Sequence, residues 1–138
     1  MEKGLLGRRR SFPGDAFMLR FVLLEHNWNG VHWDFMLEAG EALRTWAIDA
    51  PIIAGRDLPA RALGNHRKSY LDYEGEVSGN RGMVRKLDGG TFRVLVWSDR
   101  HVRVEVSGAQ LVGEVDLRCT GAASGASDSW VFRVGNFD

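Results

Sequence analysis

The chain has a single cysteine, Cys119, among its 138 residues. One thiol excludes an intramolecular disulfide and a cysteine-based zinc site, and it suits a reducing, cytoplasmic setting. Charge of one sign is lacking too, because 18 basic and 18 acidic side chains give a formal net charge of zero. No global electrostatic case for nucleic acid follows, so any such case rests on local clusters. No apolar run is long enough to cross a bilayer, and no membrane association is expected. No stretch holds a convincing helical period over three turns. At the N-terminus, Arg8, Arg9 and Arg10 precede no apolar core of signal-peptide length. Residues 1–17 read as a flexible basic arm of about +2 net charge.

What is present is an ordinary globular composition, 44% hydrophobic and 26% charged, long enough for one domain with its own core. That domain is expected over residues 18–138. Segments rich in Val, Phe, Trp and Leu recur between Gly, Asn and Asp. They place strands at residues 18–25, 31–38, 44–48, 73–77, 82–87, 91–97, 102–106, 110–117 and 129–134. Asp88-Gly89-Gly90 falls between two such runs and signals a hairpin. Residues 50–61 read as irregular chain over a barrel mouth, with a short helix near residues 58–63 as the helical candidate. Residues 121–127 are small and polar and read as a loop. Many short strands at this spacing favour closure, which removes exposed edges. The expected fold class is therefore all-β and mainly antiparallel: a single closed or nearly closed β-barrel with little helix, as a monomer.

The chemistry-bearing stretch is His26-Asn-Trp-Asn-Gly-Val-His32-Trp-Asp34-Phe-Met-Leu-Glu38. Val31, Trp33, Phe35 and Leu37 alternate with His32, Asp34 and Met36, so the second set shares one strand face. Asn27–Gly30 has turn composition. A hairpin there returns His26 beside His32, and two imidazoles with one carboxylate form a facial set for a divalent transition metal. Only neutral imidazole ligates, so acid weakens such a site. The competing assignment is an exposed polar hairpin face, with Asp34 paired to an arginine. His32 and Asp34 are expected on the inward face of the barrel, with Trp33 and Trp46 in the core; Trp28, in the turn, is expected to pack in the core or staple the hairpin, with exposure and base stacking as the alternative.

A second cluster runs from His66-Arg67-Lys68 through Ser69-Tyr70-Leu71-Asp72-Tyr73-Glu74-Gly75. Imidazole, guanidinium and phenol suit phosphate binding and proton donation to a leaving oxygen. The plainer assignment is a solvated basic loop leading into a strand. Arg81, Arg85 and Lys86 add charge downstream that suits a nucleic-acid backbone or an ordinary outward face.

Together these residues resemble a known family. His26…His32-Trp33-Asp34-Phe35-Met36-Leu37-Glu38, then Trp46-Ala47, then His66…Tyr70-Leu71-Asp72-Tyr73-Glu74-Gly75 are similar to the 3′-phosphoesterase domain of bacterial ATP-dependent DNA ligase D, here standing alone. Gly79-Asn80-Arg81-Gly82 and Trp97 fit the same scheme. The resemblance implies a β-barrel enzyme of end-joining repair that trims DNA or RNA 3′ ends. It implies removal of a 3′-terminal ribonucleoside and of a 3′-phosphate at primer-templates, alongside other end-joining proteins. It implies a divalent metal, manganese first and zinc or cobalt as alternatives, on His26, His32 and Asp34. It implies His66 and Tyr70 at the scissile phosphate.

Two positions depart from the family. An arginine usual two residues after the aspartate is Met36 here, and a lysine usual after the Trp-Ala pair is missing. Arg61, Arg67 and Lys68 are the candidate replacements. The departures keep two other functions open: an end-binding module that retains the metal and phosphate pocket with little turnover, and a small barrel that acts through protein contacts.

Overall fold

The structure, a computed structural model, describes residues 18–121 and 129–135. The basic arm expected over residues 1–17 lies outside them, as does all but the first residue of the loop expected at 121–127. Side-chain size along the first two strands sorts the faces of the sheet. β1 (Leu19–Asn27) and β2 (Val31–Ala39) pair antiparallel, with Leu24 opposite Asp34 and His26 opposite His32. Phe21, Leu23, Phe35 and Leu37 fall on one side, and Leu24, His26, His32, Asp34 and Met36 on the other. The turn between them takes positive φ at Asn29 (53°) and Gly30 (97°), which those two residue types accept.

β3 (Ala42–Ile48), β4 (Leu58–Arg67), β5 (Gly75–Glu76), β6 (Met83–Trp97), β7 (His101–Gly108), β8 (Val112–Cys119) and β9 (Ser129–Val134) follow. The order across the sheet is β1-β2-β3-β4-β9-β8-β7-β6, and β6 pairs back onto β1. Eight antiparallel strands thus close a barrel, as expected, and β5 pairs only with β6. A single 3-10 turn, Lys68–Leu71, is the helix among the described residues. No described helix is long and apolar enough to cross a membrane. Phe21, Phe35, Trp46, Phe92, Leu117 and Phe132 are among the side chains that fill the interior.

A second apolar cluster sits on the outer wall. Val22, Leu24, Met36 and Leu43 from the barrel strands meet Leu71, Val77 and Val84 there. Residues 68–82 therefore form a strap over the outside of β1, β2 and β3. Polar clamps hold it down. Arg20 grips Asp72 with two bonds of 2.7 and 3.2 Å. Lys68 reaches Glu38 at 2.9 Å, and Glu74 accepts the Lys86 amide at 2.7 Å. The Lys68 ammonium and then the Arg20 amide hold the Glu38 carboxyl below the usual range.

Three expectations are corrected. His32 and Asp34 share a face, but it is the outer one, because bulky Trp33, Phe35 and Leu37 take the interior. The short helix near residues 58–63 is instead part of β4, with Leu58 and Ala60 facing inward. Pairing with β3 on one side and β9 on the other overrides the weak strand preference of its alanines and glycine. Asp88-Gly89-Gly90 makes no hairpin, and β6 runs straight through it. Neither glycine takes the positive φ that a tight hairpin turn needs. Leu87 bulges instead, since Leu23 pairs with Asp88 and Leu24 with Lys86. Gly90 is required by close approach, because a Cβ there would lie 2.1 Å from the Ser107 carbonyl oxygen. Of the irregular chain expected over residues 50–61, residues 58–61 belong to β4, and from the remainder Ile52 joins Leu23, Trp33, Leu87 and Leu111.

Asp88 itself is 5% exposed and accepts the amides of Gly89, Ala109, Gln110 and Leu111 at 2.6–3.1 Å. It ties the barrel end to the β7–β8 turn. Asp88→Ala strands these donors and should lower stability by about 3 kcal/mol or more. Urea denaturation checks this, and an unchanged midpoint contradicts the role.

Candidate active site

The outer rows of β1 and β2 bring three donors together. His26 Nδ1 lies 3.4 Å from Asp34 Oδ2, and His32 Nε2 lies 3.0 Å from Asp34 Oδ1. One ligating atom from each residue lies within 4.8 Å of the others. The two contacts fall on different Asp34 oxygens, so a cation ~2.1 Å from each donor would draw inward a set that spans up to 4.8 Å. The strap leaves Asp34 2% exposed, and its Oδ1 accepts no hydrogen bond. The His32 contact is close but not aligned as one. An unpaired buried carboxylate oxygen is costly, and a cation relieves that cost. The donor set thus fits a divalent cation.

The strap also orients His26. Its Nε2 lies 2.7 Å from the Arg81 carbonyl, which can only accept. Nε2 therefore carries a proton, and in the neutral ring the Nδ1 lone pair faces Asp34. Trp28 stacks on the ring with centroids 6.1 Å apart and is 42% exposed, so it covers the hairpin end and is not part of the core.

A cavity of about 300 Å³ opens beside the triad, with His26, Asp34, Met36, His66, Arg67 and Tyr70 in its wall. A β-bulge brings His66 there. Leu43 pairs with His66 and Thr45 with Leu63, so Gly64 and Asn65 together oppose Arg44. Without the extra residue, strand alternation would turn His66 inward. Its Nδ1 lies 2.8 Å from the Gly64 carbonyl and donates to it, which leaves Nε2 for a ligand. Tyr70, on the 3-10 turn, meets His66 edge-on at 5.8 Å and Tyr73 at 5.8 Å. The Tyr73 hydroxyl donates to the Glu76 carbonyl.

The proposed replacement cations separate. Arg67 lines the cavity. Arg61 does not; it makes two bonds of 2.9 and 3.0 Å to Asp49, just after the Trp-Ala pair. Lys68 is committed to Glu38. Met36 is buried on the cavity floor within the outer apolar cluster. Ser78 and Arg81 also line the cavity. Sequence reasoning gave Arg81 as a backbone-tracking or outward-facing cation within the Gly79–Gly82 family motif and assigned it no place beside His26, because the strap that carries it over the hairpin leaves no strand-like signal. The left-handed signature Gly79-Asn80-Arg81-Gly82 was the visible hint of a tight loop.

The family described as "DNA Ligase D 3'-phosphoesterase domain" matches residues 24–118, more than half of the chain. No curated protein matches it. The match runs from β1 to β8 and includes the triad, His66, Tyr70 and Arg81.

The donor set predicts one divalent cation per chain, lost in His32→Ala because two donors rarely hold such an ion tightly. Titration calorimetry with manganese on both proteins, each verified as folded, checks this. Equal stoichiometry and affinity in the variant contradict the ligand set.

Proposed function

The chain belongs to the DNA ligase D 3′-phosphoesterase domain family, and we propose that it is a divalent-metal-dependent phosphoesterase processing DNA or RNA 3′ ends in end joining. Its substrates on this reading are primer-template ends that carry a 3′-phosphate or a 3′-terminal ribonucleoside. The supporting observation is the orphaned Asp34 Oδ1, set between two imidazoles at the edge of a cavity that His66 and Tyr70 also line.

A divalent cation, manganese first, supplies Lewis acidity toward a phosphate oxygen and activates water. The chain's residues do the rest. His26, its proton fixed on Nε2, and His32 present lone pairs beside the Asp34 carboxylate. His66 presents Nε2 to the cavity and, in its imidazolium form, donates the Nε2 proton to the leaving oxygen while Nδ1–H stays on the Gly64 carbonyl. Tyr70 donates a hydrogen bond from its hydroxyl to the phosphate. Arg67 offsets phosphate charge. The strap narrows access for water and raises the strength of these contacts.

The apolar Met36 floor supports a second reading, an end-binding module with little turnover. A thioether neither carries charge nor donates a hydrogen bond. One assay separates the two: a primer-template with a 3′-phosphate, incubated with manganese or with chelator. Phosphate release with manganese alone, and a loss of ~10²–10³ in rate in His66→Ala, is expected. Binding without release supports the module, and equal rates with chelator contradict metal dependence.

A further inference from the structure

Resting on the phosphoesterase reading, we infer that Arg81 supplies the phosphate-gripping cation that Met36 cannot, while its own carbonyl holds His26 in the ligating tautomer. Two observations converge on this residue. The first is the carbonyl contact at 2.7 Å from His26 Nε2. The second is that Arg81 lines the same cavity as His66 and Tyr70, with its guanidinium held on Ser78, another residue of that wall.

The loop that carries Arg81 is built to hold it. The Val77 amide closes the loop by donating to the Gly82 carbonyl at 2.8 Å, and the Arg81 amide donates to the Val77 carbonyl at 3.3 Å. Gly79, Asn80 and Gly82 take φ of 76°, 60° and 80°. Gly82 lies flat on the end of β1, where a Cβ would stand 2.0 Å from the Asn27 carbonyl oxygen. That close approach brings the neighbouring Arg81 carbonyl onto His26.

The guanidinium is oriented without being neutralised. Its Nε donates to the Ser78 carbonyl at 2.7 Å and its Nη2 to the Ser78 hydroxyl at 3.2 Å. No carboxylate pairs with it among the described residues. Arg61, Lys68 and Arg85, by contrast, are held by Asp49, Glu38 and Glu25. One face of the Arg81 fork stays available, and a planar guanidinium suits phosphate oxygens. The cavity therefore takes positive charge from the loop above it as well as from Arg67 at the end of β4.

Calorimetry separates the two roles, since Arg81→Ala removes the guanidinium and keeps the carbonyl. Manganese is titrated first, and inorganic phosphate then into the manganese-loaded protein. Arg81→Ala should keep manganese affinity within about twofold and weaken phosphate about tenfold or more, with Arg81→Lys recovering part of the loss. Phosphate affinity within twofold of wild type in Arg81→Ala overturns the assignment. So does a parallel loss of manganese and phosphate, which marks a purely structural residue. Failure of the underlying reading has its own signature, a wild-type protein that binds neither manganese nor phosphate, and that result overturns this assignment with it.

Discussion

The packing of residues 68–82 onto the outer wall of β1 and β2 is the constraint on which the site depends. Leu71 and Val77 bury Val22, Leu24 and Met36 there. Without that cover, the His26–His32–Asp34 face would be an ordinary wet hairpin surface. With it, Asp34 is buried with one oxygen unpaired, His26 is fixed by a carbonyl from the strap, and a cavity remains between wall and strap. Each of these raises the strength of an electrostatic contact by removing water from it. Burial of apolar side chains thus creates the conditions for the polar chemistry.

The strap's position follows from irregularities in the strands it touches. Gly64 and Asn65 bulge β4 and turn His66 outward. Leu87 bulges β6, and Val84 on its outer side then joins the apolar cluster while Asp88 faces the barrel end. These two bulges let one sheet present a filled interior and a separate reactive exterior. At the other end of the barrel, Arg44 lies over Trp46, Trp97 and Trp130 at 5.1–5.8 Å and donates to the Ser98 carbonyl. Burial pushes its guanidinium pKa down. That cation belongs to the core and is remote in role from the outer cavity.

The hairpin of β1 and β2 was legible in the residues, because alternation of Trp33, Phe35 and Leu37 with His32, Asp34 and Met36 states the register. So was the closed barrel, from the number and spacing of short apolar runs. The side on which the triad lies was not legible, since alternation gives two faces without saying which is enclosed. Met36 held the clue: an apolar side chain in a polar outer row needs something to cover it. β4 was hidden by Pro59, its alanines and Gly64, whose strand state comes from partners far along the chain. Asp88-Gly89-Gly90 misled because its composition serves close packing and a side-chain cap rather than a turn. The role of Arg81 depends on a through-space meeting with His26, and no spacing in the sequence encodes it.

The central claim is that the outer face of the β1–β2 hairpin holds a divalent cation rather than an ion-paired Asp34. Anomalous diffraction from crystals grown with manganese tests this most directly. The account predicts one strong peak between His26 Nδ1, His32 Nε2 and Asp34 Oδ1. A map without a peak there, with Asp34 still lodged between the two imidazoles, would contradict it.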